Sequence, residues 1–488
     1  MSATSERPAG GLSALAAAVR EGRVSAADLV RRSLERISAA ADLNAVTALR
    51  PTDALAEAEA LARRLAEARA IGAEVDLPLA GLPLLVKETE RCLGLPTTYG
   101  SRLFAGAPPA DRWGLVPGRL VAAGAIAVGK TNVPEFALEG YTANDVFGVT
   151  RNPWAPEWSP GGSSGGSGAA VAAGLAPLAT ATDVGGSIRI PASLCGLVGF
   201  KPTGGLIGRD PDLPTLDLNN HGPLTTSVAD ARLLLGILAG PTPGDPFSPP
   251  RHPIGPGGRP GRLLATHRLT GSPDDMARPL PDRVEARFAA ALDAVEREVG
   301  LGLRVDRVAP MSILPDGVDP EDWFRIVAIE QLEALGGRER LEHDRALLSA
   351  SARGTFEAAA DVPASDYHAA RRRRYAYTRH LDEALGDDSI LLTPTLTVDG
   401  WSAEGRLPGE DEPGPPSWVY AVELANFGGH PAVSLPAGRF ENGVPFGLQA
   451  VAPRGRDDLL LWFAAAWEAA RPWPLTAPDY EPFEAGLI

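Results

Sequence analysis

Two clusters of glycine and serine, residues 161–168 and 185–187, constrain the fold of this chain more than any other feature. Glycine and serine at this density are typical of a flexible linker. The segment between the clusters is not linker-like, because residues 169–173 are apolar and residues 178–182 have the composition of a strand. The pattern therefore predicts two tight, buried backbone turns, the second of which presents the hydroxyl group of Ser187.

Length and composition restrict the class of protein. The chain has 488 residues, of which 44% are hydrophobic and 22% charged, and this balance is typical of a folded protein with a large core. A formal net charge of −15 argues against binding to nucleic acid or to an anionic membrane surface, because both need a basic surface. We expect no membrane span, which needs roughly 20 consecutive apolar residues, and no signal peptide.

The cysteines and histidines predict neither a disulfide framework nor a metal site. Two cysteines, Cys92 and Cys195, are too few for such a framework, and the seven histidines lack the spacing of zinc motifs. We therefore expect a cytoplasmic protein that uses no metal and no organic cofactor.

Lysine is rare in this chain. Only Lys87, Lys130 and Lys201 occur among 46 basic residues, so arginine carries most of the positive charge. A buried lysine can lose its proton near neutral pH, whereas an arginine cannot. A retained lysine therefore either marks a site that needs a neutral amine or has been kept by chance.

Predicted helices and strands alternate along the whole sequence, which favours one α/β architecture. Residues 281–385 look mainly helical, and the four arginines at 371–374 are expected on a solvated helix face. Residues 240–262 and 405–417 are rich in proline and are predicted as surface loops. Further predicted helices span residues 12–19, 25–39, 53–70 and 459–470, and predicted strands span 82–87, 125–128, 391–392, 433–435 and 446–451.

Residues 124–131 (GAIAVGKT) match the phosphate-loop pattern letter for letter. That motif needs a flexible loop followed by a helix, yet residues 125–128 are apolar and suit a strand. Pro134 follows closely and leaves little room for a helix. We interpret this segment as a strand with Lys130 as a structural residue, and the alternative of nucleotide binding predicts magnesium-dependent binding of ATP.

A second set of residues fits hydrolysis by a serine, which needs a nucleophile, a base and donors for an oxyanion. Ser187 follows two glycines, which allow backbone N–H groups of residues 184–187 to converge on one point. Ser163 lies in the first glycine-rich turn. Lys87 ends a predicted buried strand, where burial can make its amine neutral. Spacing alone does not establish that the three side chains meet.

Each of these candidates also has a structural interpretation. Ser187 fits a turn serine, Ser163 fits the N-cap of the following helix, and Lys87 fits a buried ion pair. A Ser–His–Asp arrangement that uses His221 also remains open, although residues 220–223 (NHGP) are predicted as a turn.

Three longer motifs resemble the signature of the amidase signature hydrolases. They are residues 160–167 (PGGSSGGS), 182–191 (TDVGGSIRIP) and 195–203 (CGLVGFKPT). The resemblance covers about residues 10–475. Shorter motifs that contribute to it lie at residues 81–87, 129–132, 147–148, 151–154, 393–395, 429–432 and 447–449.

The resemblance implies a single α/β domain over residues 1–488, in which a mixed, twisted β-sheet is sandwiched between helices (α/β/α). The signature core would occupy about residues 75–235. A helical, loop-rich segment would follow over about 240–390, and C-terminal strands and a helix over about 390–475.

The resemblance also implies a Ser–cis-Ser–Lys triad. Ser187 would attack the carbonyl carbon, and Ser163, preceded by a cis peptide bond, would relay the proton to neutral Lys87. Asp183 and Arg189 would orient this region. The oxyanion hole would consist of the N–H groups of Val184, Gly185, Gly186 and Ser187.

Departures from the family pattern bear on the substrate. Residues 88–90 (ETE) replace the Asp-Asn of many relatives and alter the wall behind the lysine. Ala137, Glu139 and Tyr141 lie where relatives place substrate-contacting residues. Their segment lacks the glycine-serine-serine run of the tRNA-dependent amidotransferase subunit, which counts against a glutaminase role.

We therefore predict hydrolysis of small or aryl amides through an acyl-enzyme on Ser187, extending to esters and to carbamates (urethanes), which offer the same carbonyl. The alternative is an amidotransferase-type subunit that acts with partner proteins. For a stand-alone enzyme we expect a monomer or a homodimer, with a small-molecule substrate as its one partner.

Overall fold

The computed structural model describes residues 11–209, 215, 217–248, 254–255, 257–267, 279–300, 302–309, 319, 321–407 and 423–488. The helices are α1 Leu12–Glu21, α2 Ala26–Ala39, α3 Pro51–Ala70, α4 Leu115–Ala122, α5 Gly165–Ala172, α6 Arg189–Cys195, α7 Val228–Leu238, α8 Asp282–Glu298, α9 Asp322–Leu335, α10 Gly337–Asp344, α11 Ala350–Ala360, α12 Ala364–Leu385, α13 Glu423–Gly428 and α14 Asp457–Ala470.

The strands are β1 Val46–Leu49, β2 Pro83–Lys87, β3 Ile126–Thr131, β4 Ala143–Asn144, β5 Gly148–Val149, β6 Leu178–Ala179, β7 Thr182–Asp183, β8 Val198–Lys201, β9 Asn220–His221, β10 Leu224–Thr225, β11 Arg262–Ala265, β12 Val305–Arg307, β13 Ser389–Pro394, β14 Ala432–Arg439 and β15 Pro445–Val451. The predicted mixed α/β fold is confirmed. In the described ranges the strands are divided among sheets of different size, rather than collected in one.

The largest sheet among the described residues has seven strands in the order β10-β8-β14-β15-β13-β11-β12. Strand β11 pairs in parallel with β12 and β13, whereas the remaining pairs are antiparallel. A four-stranded sheet in the order β1-β3-β2-β6 contains parallel pairs between β2 and its two neighbours. Short strands β7 and β9 pair antiparallel beside these sheets and carry part of the candidate site.

Local sequence explains the elements that lead to the site. The Ser25 hydroxyl accepts a hydrogen bond from the Asp28 N–H at 3.4 Å and caps α2. Every residue of β2 is buried, so this strand carries Lys87 into the interior at its last position. A buried apolar cluster extends across both larger sheets and includes Leu84, Val128 and Leu435.

The strand predicted at residues 125–128 is confirmed, and it spans Ile126–Thr131. Lys130 is fully buried, and its ammonium donates to the carbonyl groups of Glu88 at 3.0 Å and Pro96 at 2.8 Å. The lysine therefore cross-links the chain around β2 and β3 and does not stand in a phosphate-binding loop. Its structural interpretation is confirmed.

Two local predictions are wrong. Residues 371–374 are not all solvated: Arg372 is exposed, but Arg371 and Arg374 pair with Asp217, and Arg373 donates to Asp322 at 2.7 Å. Asn220 and His221 form a strand instead of a turn, because they pair with β7. The N-cap of α5 is Ser164, so the alternative interpretation of Ser163 as that cap does not hold.

Two predicted loops lie partly outside the described residues, at 249–253 and 256 and at 408–417. Within the described ranges, no helix is long and apolar enough to cross a membrane.

Candidate active site

Asp183 fixes the loop that carries Ser187. It lies at the end of β7, and its carboxylate accepts hydrogen bonds from the N–H groups of Gly186 at 2.8 Å and Ile188 at 3.2 Å. The Arg189 guanidinium donates to both carboxylate oxygens, at 3.0 and 2.9 Å. Burial favours the neutral acid, but Arg189 outweighs it and holds the pKa of Asp183 far below its ordinary value. Residues 184–188 are thus folded around a permanent negative charge.

One of the four N–H groups predicted for the oxyanion hole, that of Gly186, already donates a hydrogen bond to Asp183. Gly186, at φ +116°, turns its N–H back toward Asp183. Among the residues that the structure describes, no group accepts from the N–H groups of Val184, Gly185 or Ser187. Val184, Gly185 and Ser187 also line a cavity. Three donors, not four, are therefore available to a ligand there.

Lys87 lies at the centre of a cluster of hydroxyl groups. Its Nζ atom is 2.8 Å from the Oγ atoms of Ser163 and Ser164 and from Oγ1 of Thr182. Complete burial lowers the pKa of Lys87 to about 7, against the opposing charges of Glu90 and Asp183. An amine with this pKa can take up and release a proton at neutral pH.

Ser163 connects this amine to the cavity. Its hydroxyl contacts Lys87, and the residue lines the same cavity as Ser187. The Gly162–Ser163 peptide bond is cis, as the resemblance implies. A Cβ atom at Gly162 would lie 2.5 Å from the Glu139 carbonyl oxygen, which explains the glycine. The Ser164 N–H donates to the Ser187 carbonyl at 3.3 Å and ties the two glycine-rich turns together.

The cavity has a volume of about 390 Å³, within the usual range of small-molecule sites. An aromatic cluster forms part of its wall: the ring centroids of Phe136 and Phe356 are 5.4 Å apart, and those of Tyr99 and Phe104 are 5.6 Å apart. Neutral polar side chains complete the lining. They are Thr89, Thr182, Thr215, Asn219, Gln331 and Thr355.

The three residues predicted to contact substrate are placed differently. Ala137 and Glu139 line the cavity. Tyr141 does not belong to the described lining, because its ring packs against Gly405, where a Cβ atom would lie 2.3 Å from it. Phe136 and Ala137 adopt left-handed backbone conformations, with φ of +52° and +60°. Non-glycine residues rarely adopt this conformation outside functional turns.

His221 does not form a Ser–His–Asp arrangement in this structure. Its Nε2 atom lies 3.2 Å from Oε1 of Glu90, and the residue is not part of the described cavity lining. Glu90 also accepts a hydrogen bond from Thr180, whose hydroxyl accepts one from the Lys87 N–H at 2.8 Å. His221 and Glu90 thus belong to the buried wall behind the lysine.

A sequence model of the family described as Amidase matches residues 28–315, more than half of the chain. The chain belongs to the amidase signature family. Acylamidase from Rhodococcus erythropolis is 32% identical over 480 residues, covering 94% of this chain and 95% of that protein. A glutamyl-tRNA(Gln) amidotransferase subunit from Cyanothece sp. is 32% identical over 483 residues, covering 92% of this chain and 95% of that protein.

A bacterial aryl acylamidase of the amidase signature family, known from its crystal structure, has the same fold with a TM-score of 0.81. It is 27% identical in sequence, and the match covers 95% of this chain and 96% of that one. Together with the family match, this likeness identifies the chain as an amidase signature hydrolase of carbon–nitrogen bonds.

One wall of the cavity lies beyond the stretch that the amidase family model matches. Helix α9 contributes Trp323, Val327, Gln331 and Leu335, which recur every four residues and therefore share one helix face. Sequence reasoning missed these residues because such a face looks like ordinary core. A glutamine within the apolar stripe is the one signal that could have identified it as a cavity wall.

Trp323 packs directly on the loop before Ser187. Its Nε1–H donates to the Val184 carbonyl at 3.3 Å, and a Cβ atom at Gly185 would lie 2.4 Å from its Cζ2. We expect Gly185→Ala to displace the indole or the loop and to lower kcat for amide hydrolysis by about 100-fold. Steady-state kinetics at matched folded concentration measures this effect.

Gly354→Ala is the matched control, because nothing lies within 4 Å of a Cβ atom at that position. It should leave kcat unchanged and make helix α11 slightly more stable. Equal kcat values for the two alanine variants would contradict a requirement for glycine at position 185.

Proposed function

We propose that this chain is a stand-alone amidase that hydrolyses small aryl amides through an acyl-enzyme on Ser187. One observation carries the proposal. The amine of Lys87, with its pKa lowered to about 7 by burial, lies 2.8 Å from the Ser163 hydroxyl, and Ser163 shares a cavity with Ser187. This arrangement supplies a base and a relay beside a nucleophile.

In the proposed reaction, neutral Lys87 accepts the proton of Ser163 while Ser163 accepts the proton of Ser187. The Ser187 Oγ forms a bond to the carbonyl carbon, and the carbonyl electron pair moves onto oxygen. The N–H groups of Val184, Gly185 and Ser187 stabilise this oxyanion. The proton then returns through Ser163 to the leaving nitrogen, and the C–N bond breaks.

The acyl group leaves by the same path. A water molecule gives its proton to Ser163 and Lys87 and attacks the ester carbon, and Ser187 regains its proton as the acid is released. Esters and carbamates present the same carbonyl to the same groups. We therefore include them as further substrates of the proposed enzyme.

The aromatic wall supports an aryl group in the substrate. Phe136, Phe356, Tyr99 and Phe104 offer ring faces and edges, which favour an aromatic ring over an alkyl chain of similar size. The likeness to the aryl acylamidase is in accord with this choice.

An amidotransferase-type subunit is the second candidate, because a relative of that name is 32% identical. A glutaminase substrate carries a free carboxylate. None of the described residues that line the cavity is basic, so the described part of the site offers such a group no cation. The lack of a cation for this carboxylate among the described lining residues therefore favours the stand-alone amidase.

A rate panel with the purified chain alone tests the proposed function. We expect hydrolysis of acetanilide, of phenyl acetate and of an aryl carbamate without any added protein. The kcat/KM for acetanilide should exceed that for N-butylacetamide and for L-glutamine by at least about tenfold, equivalent to about 1.4 kcal/mol. Activity that appears only with added partner proteins, or a preference for glutamine, would favour the amidotransferase interpretation.

A further inference from the structure

Glu139 is the one charged side chain among the described residues that line the cavity. Its half-buried carboxylate accepts a hydrogen bond from the Ser351 hydroxyl at the start of helix α11. Burial raises the pKa of Glu139, and the bond from Ser351 opposes this change. Within the described ranges, no lysine, arginine or histidine forms an ion pair with it.

The other polar groups of the cavity are neutral. Four buried atoms, on residues Thr89, Thr215, Asn219 and Gln331, have no hydrogen-bond partner in the part of the chain that the structure describes. These groups are free to bind an uncharged part of a ligand. Hydroxyl and amide groups can each donate or accept, so they do not favour one sign of charge.

Within the described residues, the negative charge of Glu139 therefore has no cationic partner on the side that faces a bound molecule. A ligand cation that enters the cavity would gain an ion-paired hydrogen bond in a partly desolvated place. A ligand carboxylate would meet a like charge and would lose its own hydration without a cation to replace it. Both effects favour a positively charged ligand. The repulsion between Glu139 and a ligand carboxylate also acts against negatively charged ligands.

We propose that Glu139 makes this cavity selective for the charge of the substrate, so that the preferred substrates are aryl amides that also carry an ammonium group. This inference rests on the proposed function for its kinetic test. The inference goes further than the proposed function because it specifies the charge of the preferred substrate and names Glu139 as the residue that determines this preference.

Three substrates of similar shape and different charge test the inference. They are 4-(aminomethyl)acetanilide, 4-ethylacetanilide and 4-acetamidobenzoate. For the wild-type enzyme we expect a ratio of kcat/KM between the cationic and anionic substrates of about 100 at low salt. Glu139→Gln should lower this ratio at least about tenfold, mainly through KM, because the charge acts on binding in both ground and transition states.

Two further variants separate charge from structure. Glu139→Asp keeps the charge and should keep most of the ratio. Glu333→Gln removes an acid from the exposed face of helix α9 that is not part of the described cavity lining, and it should keep the wild-type ratio. An unchanged ratio in Glu139→Gln, or an equal fall in Glu333→Gln, would overturn the inference.

A binding measurement makes the test independent of turnover. Calorimetry with the Ser187→Ala variant gives dissociation constants for the cationic and anionic compounds, with and without Glu139→Gln. We expect tighter binding of the cation by at least about tenfold and loss of this preference in the double variant. A preference that persists without Glu139 refutes the inference, whereas failure of the wild-type enzyme on all three substrates refutes the proposed function instead.

Discussion

Ser187→Ala is expected to lower kcat/KM for every amide, ester and carbamate by at least about 10⁴-fold, because removal of the nucleophile of a serine hydrolase leaves only the contribution of binding and of the oxyanion donors. The fold should persist, since the Ser187 side chain makes no hydrogen bond among the described residues and its neighbours are held by Asp183. Kinetics and thermal unfolding of the variant measure the two effects.

A serine-directed reagent provides a second readout for the same variant. Phenylmethylsulfonyl fluoride should label the peptide that contains Ser187 in the wild-type protein, as detected by mass spectrometry, and should not label Ser187→Ala. Ser365→Ala, which removes an exposed hydroxyl on helix α12, is the matched control and should keep full activity. Turnover by Ser187→Ala near the wild-type rate would remove Ser187 from the nucleophile role.

Substitution of Lys87 has the second largest expected effect. Lys87→Met keeps the length of the side chain but cannot accept a proton, and Lys87→Arg keeps a charge that does not dissociate. Both should lower kcat/KM by about 10³-fold or more, the usual contribution of a general base together with its relay. Raising the pH to 10 should not restore Lys87→Arg.

The pH dependence of the wild-type enzyme follows from the same group. With the pKa of Lys87 lowered to about 7, the amine is protonated and inactive as a base below this pH, and neutral above it. We expect kcat/KM to rise tenfold per pH unit below about 7 and to level off above it. A profile that stays flat between pH 5 and 8 would argue against Lys87 as the base.

Lys201 provides the matched control for the substitutions of Lys87. It is also fully buried, and burial lowers its pKa to about 7, but its ammonium donates to the Pro202 carbonyl at 2.8 Å. It is not part of the described cavity lining. Lys201→Met should therefore keep kcat within about tenfold of the wild-type value while lowering stability. If kcat fell equally in Lys87→Met and Lys201→Met, the loss would reflect the general effect of removing a buried ammonium group and not a base role of Lys87.

Part of the geometry of the candidate site could be predicted from sequence because it depends on local backbone. Glycines before Ser187 and around Ser163 encode turns, and a buried strand that ends on Lys87 encodes the placement of the amine. The family resemblance supplied the pairing of these turns with the lysine. The contact between Lys87 and Ser163 at 2.8 Å joins residues 76 positions apart, a separation that spacing alone does not determine.

The part of the cavity wall formed by helices α9 and α11 could not be predicted, because it depends on packing between segments far apart in the sequence, whereas the resemblance had indicated Ala137 and Glu139. Trp323 contacts Gly185 across 138 positions, and the Ser351 hydroxyl reaches Glu139 across 212. The direction of one expected oxyanion donor also could not be predicted at this level. The Gly186 N–H is satisfied by Asp183, and a backbone direction of this kind follows from φ and not from composition.

The face of helix α9 that bears Trp323 and Gln331 has a consequence for how such an enzyme diversifies. Lys87, Ser163 and Ser187, which we propose as the reacting residues, lie within the 28–315 family match, whereas this face lies outside it. Point mutations on this helix face are therefore expected to alter which amide is accepted and to leave the proposed proton path intact. Trp323 is the exception, because it also packs on Val184 and Gly185 in the loop that carries Ser187.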